Sequence, residues 1–168
     1  MSRASASSLM VGLALLVSSC AQGLAFVQDD RLEISAPRAQ QKVTLPVTVR
    51  WAIEDFEVTG PSGLARKDAG YFGVFLDTAP VPPGQLLSWI ARDDRRCKAR
   101  PGCPDATYFS DHRVYSTDAT SFTFAQLPDL DTYGGHETHE VTIILLDGTG
   151  RRIGESAWYR AFRFERES

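Results

Sequence analysis

The sequence has no excess of positive charge. Its 168 residues contain 18 Lys and Arg against 21 Asp and Glu, which gives a formal net charge of −3. A nucleic-acid-binding protein neutralises phosphates with a basic surface, so this balance argues against a nucleic-acid partner. With 43% apolar residues, 13 Gly and 9 Pro, the composition also excludes a collagen-like, coiled-coil or fully disordered chain. The length favours a single domain.

The sequence also lacks an apolar run long enough to span a membrane. Residues 9–17 form a largely apolar run of nine residues, whereas a spanning helix needs about 20. The run follows a single positive charge, Arg3, and precedes small residues, which is the three-part layout of a secretory signal. We therefore interpret residues 1–19 as a signal peptide.

The end of this segment carries a more specific motif. Residues 17–20 read Val-Ser-Ser-Cys, which resembles the lipobox of bacterial lipoproteins. The resemblance implies that Cys20 is acylated and becomes the first residue of the mature protein, with residues 20–30 as a lipidated tether in the bacterial cell envelope. Ala21 is not the Asp that marks inner-membrane retention in that family, which implies the outer membrane, facing the periplasm or the surface. An ordinary cleavage site with an incidental cysteine is the alternative.

Cysteine is scarce, with three residues in the chain. If Cys20 carries lipid, Cys97 and Cys103 remain, and two nearby cysteines in an oxidising exported compartment most simply pair. The intervening Pro-Gly dipeptide favours a turn that would bring the sulfurs together. The alternative is a metal site, but the spacing differs from the paired CxxC of zinc sites. We therefore predict a disulfide.

The only basic cluster of the sequence surrounds these cysteines. It would suit an anionic lipid head group or an acidic polysaccharide. Three nearby aspartates reduce its field and favour a solvated loop instead. The basic residues are Arg95, Arg96, Lys98 and Arg100, and the acidic ones are Asp93, Asp94 and Asp105.

Alternating apolar residues predict an all-β fold. Every odd position from Val43 to Ile53 is apolar, which is typical of a half-buried strand with Trp51 on its core face. Similar patterns, separated by Gly, Pro and Asp, indicate an antiparallel sandwich of about seven short strands without a strong amphipathic helix. The other strand segments are residues 31–35, 70–77, 121–125, 139–146 and 156–164, with residues 86–91 and 108–115 as further candidates.

Three sequence features resemble bacterial immunoglobulin-like or fibronectin type III-like modules. They are Ile-Ser-Ala-Pro at residues 34–37, the strand that carries Trp51, and the segment 135–150 with its closing Asp-Gly-Thr-Gly turn. The resemblance implies an immunoglobulin-like β-sandwich over residues 31–168. The chain departs from such modules in having no cysteine pair spaced to cross two sheets and a long middle segment, residues 77–120. Because such modules serve adhesion, spacing, carbohydrate contact and assembly, the fold does not select a function.

Histidine is equally scarce, and the three residues are candidates for a metal site. His136 and His139 are three apart in a segment that enters a strand, whereas the HExxH motif needs four on one helical face. A site with His112 is a hypothesis, although nothing in the sequence brings His112 to the other two. The alternative is a structural or surface role for each ring.

No catalytic constellation is apparent. Ser156 lacks the second glycine of a nucleophile elbow. Trp89 follows a proline-rich stretch, and an exposed indole there would stack on a sugar or anchor a protein. This suggests a carbohydrate-binding module built from Trp89, Tyr108 and the Cys97–Cys103 loop, although Trp89 would equally close one end of the sandwich. We expect a non-enzymatic envelope lipoprotein without a cofactor, whose partners are the membrane and an unidentified protein or polysaccharide.

Overall fold

The computed structural model describes residues 29–131 and 136–165. The predicted signal peptide, Cys20 and most of the predicted tether lie outside the described residues. The strands are β1 (Leu32–Ala36), β2 (Lys42–Val43), β3 (Val47–Ile53), β4 (Glu57–Val58), β5 (Ala69–Leu76), β6 (Val114–Thr117), β7 (Ser121–Phe124), β8 (Glu137–Asp147) and β9 (Trp158–Phe164). Between β5 and β6 lie a 3₁₀ helix (Leu87–Ala91) and two short α-helices, α1 (Arg95–Lys98) and α2 (Ala106–Asp111). The prediction of a mostly β fold is confirmed.

A small antiparallel sheet contains three strands in the order β1-β3-β7. Val47, Val49 and Trp51 alternate inward along β3 and are buried, as their spacing predicts. The predicted strand from Val43 to Ile53 is nevertheless divided in two. Pro46 lies between β2 and β3, and a residue without an N–H group cannot continue a ladder of hydrogen bonds through that point.

The larger sheet has the order β2-β9-β8-β5-β4, and β6 also pairs with β5. Its long pairings are antiparallel, but β2 pairs with β9 and β4 with β5 in parallel. The expectation of a purely antiparallel structure is therefore wrong at these two edges. Each parallel pairing involves only two residues of the edge strand, so it adds little to the sheet.

The two sheets face each other across a common apolar core. Trp51 of β3 meets Phe72 of β5 edge to face, with ring centroids 5.2 Å apart, so the prediction of a core tryptophan is confirmed. Burial of each large apolar side chain stabilises the fold by about 1.5–3 kcal/mol. The central members of this core, which we call the inner core, are Val49, Trp51, Phe72, Val74, Leu76, Val141, Ile143, Leu145 and Phe162.

The opposite face of the larger sheet is also covered. Residues 77–113, which we call the insertion, place Val81 and Leu87 over Tyr71, Phe75 and other outward-facing residues of the sheet. All eight residues of β5 are therefore buried. The same cover explains why β8 ends with apolar residues on both faces, as the sequence predicted for a covered central strand.

The insertion corrects two sequence-based predictions. Residues 86–91, a candidate strand, form mainly the 3₁₀ helix, and residues 108–115 divide between α2 and β6. Asp94 and Asp105 stand at the N-caps of α1 and α2 and accept hydrogen bonds from backbone N–H groups of the first turns. Such caps favour a helical start where apolar spacing alone is ambiguous. Among the described residues, no helix is long and apolar enough to cross a membrane.

Candidate functional site: the disulfide-braced insertion

The disulfide closes a loop within the insertion. Cys97 and Cys103 lie at disulfide distance, with their Cα atoms 5.2 Å apart, which agrees with the predicted pairing. Cys97 is buried in α1, and Cys103 is partly buried just before α2. The covalent link therefore fixes α1 relative to the start of α2.

Asp94 organises the turn on which this loop rests. Its Oδ1 atom accepts hydrogen bonds from the backbone N–H groups of Arg96 (2.8 Å) and Cys97 (3.0 Å). These bonds, that of Cys97 above all, hold the pKa of the Asp94 carboxyl below its usual value. The hydroxyl of Tyr108 also interacts with Asp94, and burial together with this carboxylate raises the pKa of Tyr108. One carboxylate thus joins α1 to α2.

The basic residues of this segment point outward. Arg95, Arg96 and Lys98 are exposed on α1. Arg100 lies 3.2 Å from Asp105 and also donates to Sγ of Cys103 over 3.4 Å. The insertion therefore presents cations on a backbone that the caps and the disulfide fix.

The structure separates Trp89 from Tyr108. Trp89 is half-buried against the outer face of the larger sheet rather than at one end of the two-sheet core, and the Arg92 guanidinium lies 4.9 Å from its ring centroid. Tyr108 is buried with Cys97 in a separate small cluster, and its ring stacks on His112 at 4.1 Å. The two rings thus belong to different apolar clusters and do not form one stacking surface.

The three histidines have different surroundings. His112 is exposed at the C-cap of α2, and its Nδ1 atom lies 2.7 Å from the carbonyl oxygen of Tyr108. His136 immediately precedes β8, and His139 is fully buried within it. Among residues 29–131 and 136–165, no group of three or more His, Cys, Asp or Glu side chains is arranged to hold a metal ion.

His139 belongs to a buried polar cluster that sequence reasoning missed. Its Nδ1 atom lies 2.8 Å from Oδ2 of Asp77, and its Nε2 atom lies 3.4 Å from Oε2 of Glu137. Its ring packs beside Phe162 of β9, with centroids 5.8 Å apart. The alternating pattern of β8 could have predicted this burial, because it places residues 137, 139 and 141 on the inward face of the strand.

A groove of about 410 Å³ lies beside the insertion, between α2 and residues of the strands β6 and β7. Its partly buried aromatic residues are Phe109, Tyr115 and Phe122, and the rings of Tyr115 and Phe122 are 4.9 Å apart. Sequence reasoning missed this groove because residues 109, 115 and 122 meet only after the chain has folded.

Fold and site together define a mostly β, two-sheet domain with a disulfide-braced helical insertion. Comparisons with protein-family models, with curated proteins and with solved structures find no match.

Proposed function

We propose that the chain is an exported, lipid-anchored protein of the bacterial envelope and that its β-rich domain is a non-catalytic binding module. The observation that carries this proposal is the Cys97–Cys103 pair at disulfide distance. Disulfides persist in oxidising compartments, so the pair favours export and leaves Cys20 as the one cysteine for acylation. The lipobox-like residues 17–20 place that cysteine where acylation would occur.

A lipid anchor suits a domain of this kind. Each buried CH₂ group contributes about 0.8 kcal/mol to membrane binding, and a single acyl chain gives only reversible attachment. Stable anchoring therefore needs more than one chain. A multiply acylated Cys20 meets this requirement without any apolar protein surface. The acyl chains would insert into the outer membrane, and the domain would face the periplasm or the cell surface.

The domain itself is proposed to be a divergent immunoglobulin-like sandwich that has acquired the insertion. Two facing sheets and a core tryptophan on β3 support this assignment. Folds of this type present loops and sheet faces to partners and host many functions. A protein or polysaccharide of the envelope is the expected partner.

Carbohydrate binding is a second candidate function. The groove lined by Phe109, Tyr115 and Phe122 favours it, because partly exposed aromatic rings stack on the apolar faces of sugars. A glycan array would test it with the purified protein. Binding that is weakened by Phe122→Ala would support the groove as the site, whereas binding weakened only by Trp89→Ala would support the site predicted from the sequence.

The anchor is tested by replacing Cys20. The Cys20→Ser chain should move from the membrane fraction to the soluble exported fraction, and the intact mass of the native protein should include added acyl chains. The matched control is Cys97→Ser/Cys103→Ser, which removes the two other cysteines together with their disulfide and should leave membrane association unchanged. A Cys20→Ser chain that stays with the membrane, or a native mass without lipid, would refute the anchor.

A further inference from the structure

Positive charge is concentrated in one short part of the chain. Residues 92–100 contain five of its 18 basic residues and only two acids, although the whole sequence has a formal net charge of −3. Arg95, Arg96 and Lys98 make up three of the four residues of α1, and all three are exposed. A concentrated field of one sign attracts a partner of the opposite sign.

The nearby carboxylates, all of them in the described part of the chain, form no ion pairs with these three cations. Asp94 is directed to the backbone of α1, as described above. Asp93 pairs with Arg92 at 3.1 Å, and Asp105 pairs with Arg100 at 3.2 Å. Within the part of the chain that the structure describes, no ion pair involves the three basic side chains of α1. Asp93 and Asp105 thus pair with arginines outside α1, so the three basic side chains of α1 remain available to a partner.

The backbone that carries the cations is fixed before any partner binds. A helix of four residues is too short to persist in isolation. The Asp94 cap and the Cys97–Cys103 disulfide hold α1 in place, while Cys97 faces the interior. Groups that are ordered in advance lose less entropy on binding, so this arrangement favours recognition of an anionic surface.

Val81, near the beginning of the insertion, and Asp29, just before β1, both contact residues of the segment 152–158. Arg152 donates to the carbonyl oxygens of Val81 in the insertion and of Ser156. Trp158, two residues further on, donates from Nε1 to the carbonyl oxygen of Asp29 over 2.8 Å. The nine peptide units between Cys20 and Asp29 would span at most about 30 Å when extended. An acylated Cys20 would therefore keep this part of the domain near the bilayer.

We propose that Arg95, Arg96 and Lys98 bind the anionic head groups of a lipid bilayer and hold the insertion against the membrane. This inference rests on the proposed function, which places the domain beside a bilayer. Each basic residue close to an anionic membrane strengthens binding by about fivefold. Three such residues give the domain a weak second attachment and a defined orientation on the surface.

Vesicle co-sedimentation tests the proposal without the acyl chains. Residues 20–168 with Cys20→Ser, which contain every described element, are mixed with phosphatidylcholine vesicles with and without phosphatidylglycerol. We expect at least about tenfold stronger binding to the anionic vesicles at about 0.1 M NaCl. This preference should be lost at about 1 M NaCl, where the Debye length falls from about 10 to 3 Å.

A pair of matched variants locates the contact. Arg95→Gln/Arg96→Gln/Lys98→Gln should lose the preference for anionic vesicles. Arg38→Gln/Arg50→Gln/Lys67→Gln removes the same charge from exposed residues elsewhere and should retain it. Circular dichroism checks that both variants fold, and the salt dependence of the unaltered domain is a readout that needs no substitution.

Three results would overturn the lipid contact. They are equal binding to both vesicles, an α1 variant that keeps the preference, and retention on an acidic polysaccharide without any vesicle preference. If any of these occurs while Cys20→Ser still releases the protein from membranes, the lipid contact fails and the anchor stands.

Discussion

Oδ2 of Asp77 lies 2.8 Å from Nδ1 of His139, so the completely buried imidazole has a carboxylate partner. Asp77 directly follows β5, and its Oδ1 atom accepts the backbone N–H of Glu140 over 2.8 Å. On the other side of the imidazole, Glu137 accepts the backbone N–H of Leu130 over 3.1 Å. The cluster therefore joins the end of β5, the start of β8 and the segment that follows β7.

Asp77→Asn should destabilise the domain by about 2 kcal/mol, because it removes a charged partner of buried groups. Asp77 has a φ of +49°, which Asn also tolerates, so the backbone should be little affected. Asp55→Asn is the matched control, since Asp55 is exposed and has a φ of +51°. Urea denaturation followed by circular dichroism measures both variants. Equal stability of the two would show that the contact with His139 contributes nothing.

Local patterns in the sequence predicted the parts of the fold that depend on neighbouring residues. The period of two in β3 identified Val47, Val49 and Trp51 as core residues, and the doubly apolar end of β8 identified a covered strand. The pairing of Cys97 and Cys103 was predicted from their nearness in the sequence, the Pro-Gly turn between them and the expected oxidising compartment. In each case the determining contact is local or follows from strand geometry.

The insertion could not be predicted in the same way. Its helices are short, and such helices depend on tertiary packing more than on propensity. Aspartate is a favourable N-cap residue, but the residues after Asp94 and Asp105 lack a long helical period, so the sequence predicts no helix there. The position of Trp89 against the outer face of the larger sheet depends on contacts distant in sequence, as does the approach of Asp77 to His139.

Arg152→Met should destabilise the domain by about 2 kcal/mol, because it leaves carbonyl oxygens of a buried site without donors. The Arg152 guanidinium donates to the carbonyl oxygens of Val81, Glu155 and Ser156, and burial lowers the pKa of Arg152. Arg152→Lys should recover only part of this loss, since one ammonium group cannot reproduce the planar donor fork of arginine.

The control for Arg152 is its exposed neighbour. Arg151 makes one side-chain hydrogen bond, to the carbonyl oxygen of Gly84. Arg151→Met should therefore lower the free energy of unfolding by less than about 1 kcal/mol. Chemical denaturation compares the two methionine variants. If Arg151→Met is the more destabilising, then the buried guanidinium does not hold the insertion to the β8–β9 connection.

The stabilising effect of Asp94 should depend on pH. The pKa of Asp94 is lowered in the folded protein, so its contribution is fully present above the unfolded value of about 4 and decreases as pH falls through the folded pKa. The unaltered protein should therefore melt at a higher temperature than Asp94→Asn at pH 7, and the difference should shrink towards pH 2. Asp93→Asn, which removes a neighbouring exposed carboxylate, should not show this pH-dependent difference in melting temperature. A difference independent of pH would contradict the role of the ionised carboxylate.

Reduction of the Cys97–Cys103 disulfide should lower stability by about 2 kcal/mol, because the bridge closes a loop with a sequence separation of only 6 residues. Reduction should loosen the backbone around α1 more than it destabilises the domain as a whole. The amides of Arg96 and Cys97, which donate to Asp94, should exchange with solvent much faster after reduction, while those of β5 and β8 keep their protection. Hydrogen exchange of the oxidised and reduced protein, with Cys97→Ala/Cys103→Ala as a reductant-independent comparison, measures both effects. Unchanged exchange in α1 after reduction would mean that the Asp94 cap and the packing of Tyr108 hold the helix without the bridge.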